Sequence, residues 1–223
     1  MTLGVTIMTE SIIYVTRHGE TLLNTLDRMQ GWCDSELTST GEQQAIQSGK
    51  QLSKLSFDYV YSSDLHRAIQ TRNLLLAQNQ HSAHVVTPNR LFREVYFGYY
   101  EGLNATSIWA SIAKPYGVTT QNELIQKLGF PAVRKLMHQQ DPYNLAETYD
   151  QVMQRWQAGL DLIHKHTKDH AKILLVTHGT FIRTLADSQG IDTINNFPKN
   201  GGITILKQTD SRVQLIKYNQ MKL

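Results

Sequence analysis

The sequence predicts an α/β fold: a single, mostly parallel sheet flanked by helices, with a helical insertion and a C-terminal hairpin. Three observations carry that expectation. Two compact apolar runs, SIIYVT at 11–16 and KILLVT at 172–177, each pass abruptly into a polar loop, as strands buried on both faces do. Segments with helical spacing alternate with the strand candidates on both sides of the middle of the chain. Between residues 103 and 146 the strand pattern stops, and Pro115, Gly117, Gly129, Pro131 and Pro142 punctuate short helical pieces.

In chain order, the strand at 11–16 leads into Arg17-His18-Gly19-Glu20-Thr21. Ser39-x-x-Glu42 reads as a capping box opening a helix through residue 55, with Ala45, Gly49 and Leu52 on one face. Residues 57–61 read as a second strand, after which Ser62 or Ser63 can cap a helix to about residue 77. Residues 84–87 form a weaker strand candidate. Inside the insertion, residues 121–128 and 132–139 read as helices. A helix near 148–168, the strand 172–177 and a helix from 179 to about 189 resume the alternation. Residues 202–207 and 212–218, joined by Thr209-Asp210-Ser211, close the chain as a hairpin. Residues 1–223 are therefore expected to form one domain, with a lid-like helical insertion at about 103–146.

Composition limits the function classes. The chain has 223 residues, of which 40% are hydrophobic and 18% charged, and it carries a formal net charge of +3. That profile excludes disorder as the main state and offers no electrostatic footprint for nucleic acid. Cys33 is the single cysteine, so neither an intrachain disulfide nor a thiolate metal cluster can form. No apolar stretch is long enough to cross a bilayer, and residues 1–10 lack the pattern of a signal peptide. A cytoplasmic protein is expected, with no nucleic-acid or membrane partner; the oligomeric state is left open.

Two segments share one form, an apolar strand ending on a histidine followed by glycine: Arg17-His18-Gly19 and His178-Gly179. Open α/β sheets bind ligands beyond the carboxyl ends of their strands, where both pairs fall. The glycines let a ligand approach the backbone, and the helix after His178 is expected to offer free N–H groups to an anion. Arg17 and Arg67 belong at the same sheet edge, and a guanidinium fork suits phosphate oxygens. The bland alternative for Arg67 is a surface residue paired with Asp64. Two arginines and two histidines converging on one edge point to phosphoryl chemistry, a neutral imidazole attacking phosphorus while the other groups stabilise charge. The residues alone leave open which histidine attacks.

The motifs resemble the histidine phosphatase superfamily, the phosphoglycerate mutase-like family. Arg17-His18-Gly19-Glu20-Thr21 with Asn24 is similar to its phosphohistidine motif, and Arg28, Gln30-Gly31, Asp34, Leu37-Thr38, Gly41 and Gln44-Ala45 continue the pattern. Ser62-Ser63-x-Leu65-x-Arg67-Ala68-x-Gln70-Thr71 resembles the second block. Arg93-Glu94-x-x-Phe97-Gly98-x-x-Glu101-Gly102 resembles the proton-donor block, Thr177-His178-Gly179 with Arg183 the second-histidine block, and Asn200-Gly201 the late loop. The resemblance implies that His18 is the nucleophile, His178 its partner, and Glu94 the general acid and then the base for water. It implies phosphate contacts from Arg17, Gly19, Asn24, Arg67 and Gly179, and it makes Glu20, Thr21, Gln30 and Tyr96 candidate walls of the substrate pocket. Burial beside Tyr96 and Phe97 is expected to raise the pKa of Glu94.

The departures from the family pattern concern substrate choice. Mutases of the family carry Arg-His directly after the acid, where this chain has Val95-Tyr96, and many phosphatase members carry Asp at the position of Tyr96 and Trp at that of Tyr100. Thr180 stands where glycine is frequent. Lys114, Lys127, Arg134 and Lys135 of the insertion read as a solvated face rather than substrate cations. His164, His166 and His170 do not make a metal set, since only 166 and 170 share a helix face. The expectation is a phosphomonoester hydrolase working through a phosphohistidine on a small phosphorylated substrate, with no metal and no organic cofactor. A bisphosphoglycerate-dependent phosphoglycerate mutase is the runner-up, and a non-catalytic phosphate- or partner-binding module is the third reading.

Overall fold

The computed structural model describes residues 10–210 and 212–223. The reading of residues 1–10 as free of a signal peptide lies outside it except at Glu10, as does Ser211 of the expected turn.

Strand β1 (Glu10–Arg17) pairs in parallel with β4 (Lys172–Thr177), which pairs in parallel with β2 (Tyr59–Ser62), and β2 in turn with the two-residue β3 (His84–Val85). On its other side β1 pairs antiparallel with β5 (Ile203–Thr209), which forms the hairpin with β6 (Arg212–Gln220). Among the described residues this is one six-stranded sheet in the order β3-β2-β4-β1-β5-β6.

The continuous apolar runs are explained by burial on both faces. Ile173 and Leu175 of β4 pack with Ile13 and Val15 in one cluster, while Leu174 and Val176 point the other way into a second. Each buried aliphatic side chain of this kind contributes about 1.5–3 kcal/mol. The second cluster is covered by α2 (Ser39–Leu52) and α3 (His66–Leu76), the first by α7 (Tyr149–His166), α8 (Gly179–Ser188) and the insertion.

Several boundaries differ from the sequence reading, each for a local reason. Helix α2 is capped by Thr38, whose hydroxyl accepts from the Gly41 N–H, one residue before the expected Ser39, and it ends at Leu52. Helix α3 starts at His66 with Leu65 at its N-cap and no side-chain cap bond; Ser63 instead accepts from the Leu65 N–H, and Asp34 accepts from the His66 N–H. The insertion holds one helix beyond those expected, α4 (Ala105–Ala113), ahead of α5 (Gln121–Leu128) and α6 (Phe130–Gln140). Short helix α1 (Leu22–Thr25) follows the first histidine loop.

The insertion is part of the core: Ile112, Leu124, Phe130, Val133 and Met137 join the first cluster. Arg134 lies there too, fully buried, donating to the Glu147 carbonyl and standing 5.3 Å from the Phe97 ring centroid. The solvated-face reading therefore fails for Arg134, because its fork closes the inner surface of α6; Lys114, Lys127 and Lys135 are exposed.

Candidate active site

Parallel pairing sets the site. Arg17 at the end of β1 lies opposite Thr177 at the end of β4, so the next residues, His18 and His178, emerge side by side at the carboxyl edge. The His18 N–H extends the ladder by donating to the Thr177 carbonyl, and the two imidazole centroids stand 5.1 Å apart. Strand β2 ends at the same edge, and the first turn of α3 carries Arg67 inward to meet them.

The tautomer of His18 follows from its contacts. Its Nδ1 lies 2.7 Å from the Gly19 carbonyl oxygen, which can only accept, so Nδ1 bears the proton. Nε2 is then a lone pair, and it accepts from the Arg67 Nε–H at 3.3 Å. Burial, followed by the charges of Arg67 and Arg17, holds the His18 pKa well below 6.5, so the ring is neutral near pH 7. A neutral, fixed imidazole with its lone pair directed at arginines is a nucleophile suited to an anionic electrophile. Gly19 is required by close approach, because a Cβ there would sit 2.2 Å from the Gly41 carbonyl oxygen. The Asn200 amide steadies the turn by donating to the His18 carbonyl.

His178 is fully buried, and neither ring nitrogen has a hydrogen-bond partner among the described residues. The buried Nε of Arg17 is likewise unpartnered, while its NH1 donates to the Pro198 carbonyl. Orphaned buried polar groups are costly, and both lie at the carboxyl edge of the sheet. Burial lowers the Arg17 pKa to about 10 against the opposing pull of Glu94, and Arg17 remains a cation at pH 7.

Arg67 is fully buried and ion-paired at 2.9 Å with Asp34, not with Asp64, which instead pairs with Arg93 at 2.7 Å. The surface alternative fails because α3 turns Arg67 inward. Its NH1 also donates to the Cys33 carbonyl and its NH2 to the carbonyls of Gln30 and Gly31. Its Nε–H alone is directed at the His18 Nε2.

Glu94 corrects the expectation of free N–H groups on the helix after His178. Its Oε2 accepts from the Thr180 N–H and its Oε1 from the N–H groups of Phe181 and Val95, so its carboxyl occupies the N-terminus of α8. Burial raises its pKa and outweighs those three donors and the nearby Arg67 charge. A carboxyl whose pKa burial raises thus shares a cleft with an imidazole whose pKa burial lowers.

Arg17, His18, Glu94 and Thr180 line a cleft of about 430 Å³, within the range of small-molecule sites. Asn24 and Gln30 line it as expected, the Asn24 amide reaching towards the Gln30 Oε1. Gly19, Arg67, His178 and Gly179 are not among its lining residues, and a Cβ on Gly179 would meet Arg17 Nε at 3.0 Å. Three candidate wall residues lie elsewhere. Glu20 turns back to accept from the Thr38 hydroxyl, Thr21 caps α1 and donates to Gln30, and Tyr96 stacks on Trp32 at 4.7 Å. The sequence reading missed the opposite wall, where Arg183 donates to Gln121 and Asn122 and shares the Phe197 ring with Arg17. Only the Arg183 motif position signalled it.

A family model matches residues 13–221: the histidine phosphatase superfamily, branch 1. The chain belongs to that superfamily. The 2,3-bisphosphoglycerate-dependent phosphoglycerate mutase of Buchnera aphidicola subsp. Baizongia pistaciae (strain Bp) is 29% identical to this histidine phosphatase superfamily member, covering 94% of this chain and 97% of its own. The crystal structure of phosphoglycerate mutase from Bacillus anthracis str. Sterne is similar at 31% identity with a TM-score of 0.85, covering 96% of this chain and 95% of that one. A phosphoserine phosphatase of Entamoeba histolytica, solved with 3-phosphoglyceric acid, is similar at 25% identity and a TM-score of 0.65, covering 94% and 97%. The superfamily is enzymatic, with mutases and phosphatases among these relatives. Among the described residues, no helix is long and apolar enough to cross a membrane.

Proposed function

We propose that this superfamily member is a phosphomonoester hydrolase that works through a phosphohistidine on His18. The substrate's phosphoryl group sits between Arg17, Arg67 and the two imidazoles. The His18 Nε2 attacks phosphorus, the ester P–O bond breaks, and Glu94 gives its proton to the departing alkoxide. As the lone pair is consumed, the Arg67 Nε–H that it accepted is released to a phosphoryl oxygen. Water then attacks phosphorus, Glu94 takes its proton back, and the P–N bond breaks to restore His18. His178 donates to the equatorial oxygens, so removing its imidazole is expected to lower kcat by about 10²–10³-fold. A negligible loss in His178→Gln would mean that the ring makes no contact with the transferred group.

The observation that favours hydrolysis over phosphoryl isomerisation is the fate of the two residues after the acid. Val95 is buried in the core and Tyr96 is stacked on Trp32, so no cation stands where mutase relatives carry Arg-His. A charged hydrogen bond to the second anionic end of a triose acid is worth about 1.5–3 kcal/mol, or roughly 10- to 150-fold. The basic residues of the insertion do not replace it, since Arg134 is enclosed behind Phe97. The mutase reading is favoured by the likeness to named mutases and by Arg28 and Arg183 on the cleft wall.

The purified protein is given 3-phosphoglycerate with and without 2,3-bisphosphoglycerate, and given a panel of phosphomonoesters. Phosphate release from several esters, with little 2-phosphoglycerate formed, is expected. Interconversion that depends on the bisphosphate and outruns phosphate release contradicts the hydrolase and selects the mutase.

A further inference from the structure

We propose that Arg155 and Glu147 are positioning residues for the general acid, together forming a clamp that holds the backbone of Glu94 at its proton-donating position; the inference rests on the acid role proposed for Glu94. Every N–H of the Arg155 guanidinium is committed. NH1 donates to the carbonyls of Leu91 and Arg93 at 3.0 and 2.6 Å, and NH2 to the Glu94 carbonyl at 3.0 Å. Nε and NH2 also meet the two Glu147 oxygens at 2.9 and 2.8 Å, a bidentate pair. Glu147 then grips the far side of the acid. Its Oε2 accepts from the Tyr96 N–H, and its own N–H donates to the Tyr96 carbonyl, each at 2.8 Å.

The segment from Leu91 to Tyr96 is thus anchored at four of its six residues, three by Arg155 of α7 and Tyr96 by Glu147 just ahead of that helix, although no regular secondary structure spans it beyond the 3₁₀ turn Arg90–Phe92. The same guanidinium stands 4.6 Å from the Phe181 ring centroid, and the Phe181 N–H donates to Glu94 Oε1. One side chain therefore registers both the strandless loop that bears the acid and the helix end that receives its carboxyl. The pair is largely buried, with side-chain exposures of 11% and 15%, and it lies outside the cleft wall. It acts through the loop and not from the cleft wall. Glu147 also cancels the Arg155 charge, so the loop is held without adding a net cation beside the acid.

A positioning role predicts dependence on the leaving group. Arg155→Lys keeps the charge and most of the volume but cannot fork, and Glu147→Gln keeps the shape but loses the ion pair. Each is expected to lower kcat/KM for β-glycerophosphate about 10- to 100-fold, because small misplacements of a reacting group carry such costs. p-Nitrophenyl phosphate, whose leaving group needs no proton, should stay within about threefold. In a Glu94→Gln background neither clamp variant should cost anything further on β-glycerophosphate. Equal losses on both esters, with or without a lowered melting temperature, would make the pair merely structural and overturn the clamp. So would full activity in both clamp variants while Glu94→Gln alone slows β-glycerophosphate. If Glu94→Gln itself leaves β-glycerophosphate untouched, the acid assignment fails, and the clamp with it.

Discussion

Replacing His18 with alanine is expected to reduce turnover of every phosphomonoester to background, the largest effect of any single change in this protein. Among the described residues, the other histidine, serine and cysteine side chains near His18 are not placed to take over. His178 is neutral and buried, but its ring nitrogens have no hydrogen bond to direct a lone pair, whereas the Gly19 carbonyl fixes the His18 tautomer with Nε2 bare. Ser62 and Ser63 face backbone and arginine partners behind the site, the Ser63 hydroxyl accepting from Leu65 and that of Ser62 from Arg72. Cys33 is held as a thiol, its pKa raised to about 12 by burial first and then by Glu101. Steady-state assays over several esters check this, and retained turnover in His18→Ala would remove the nucleophile from the account.

Glu94→Gln carries the second largest expected effect, and it depends on the substrate. General acid catalysis contributes about 10²–10⁴-fold, so kcat/KM for alkyl phosphates should fall by that order. p-Nitrophenyl phosphate should fall much less, because nitrophenolate departs unaided. The parameter kcat/KM is the one to compare, since it reports the phosphorylation step alone and leaves aside the later role of Glu94 towards water. The pH profile follows from the two shifts. His18 must be neutral and Glu94 protonated; in water their ordinary values, 6.5 and 4.5, would make that pair scarce at any pH. Burial pushes the histidine down and the carboxyl up, which raises the share of molecules that carry that pair. Activity should be lost on the acid side only well below pH 6.5, and on the alkaline side above 4.5 as Glu94 ionises. Glu94→Gln should flatten the alkaline limb for alkyl phosphates. An unchanged limb would assign it to another group.

The carboxyl-edge site was legible in the sequence because apolar strands ending in His-Gly leave few topologies, and parallel pairing of β1 with β4 then forces the histidines together. Glu94 was not legible from periodicity or composition. Its role came only through the resemblance, since a Glu in a loop rich in glycine and tyrosine looks like any solvated acid. Tyr96 shows the limit of adjacency: two residues from the acid, it points to Trp32 instead of the cleft. Arg134 shows the limit of charge reading, because a basic pair on a short helix conceals that one of its members is wholly enclosed. Gln121, Asn122, Phe197 and Arg155 act through partners tens of residues away, and nothing local in their neighbourhoods marks them.

The central claim is that a covalent bond forms between phosphorus and His18. Mixing the protein with a ³²P-labelled monoester, quenching within milliseconds and mapping the labelled peptide tests it most directly. The account predicts label that is stable in base, lost in acid and located on the peptide holding His18, and absent from His18→Ala. Label on a serine or a carboxylate, or turnover of labelled p-nitrophenyl phosphate by Glu94→Gln in which neither a burst nor trapped label is seen at saturating ester, would contradict it.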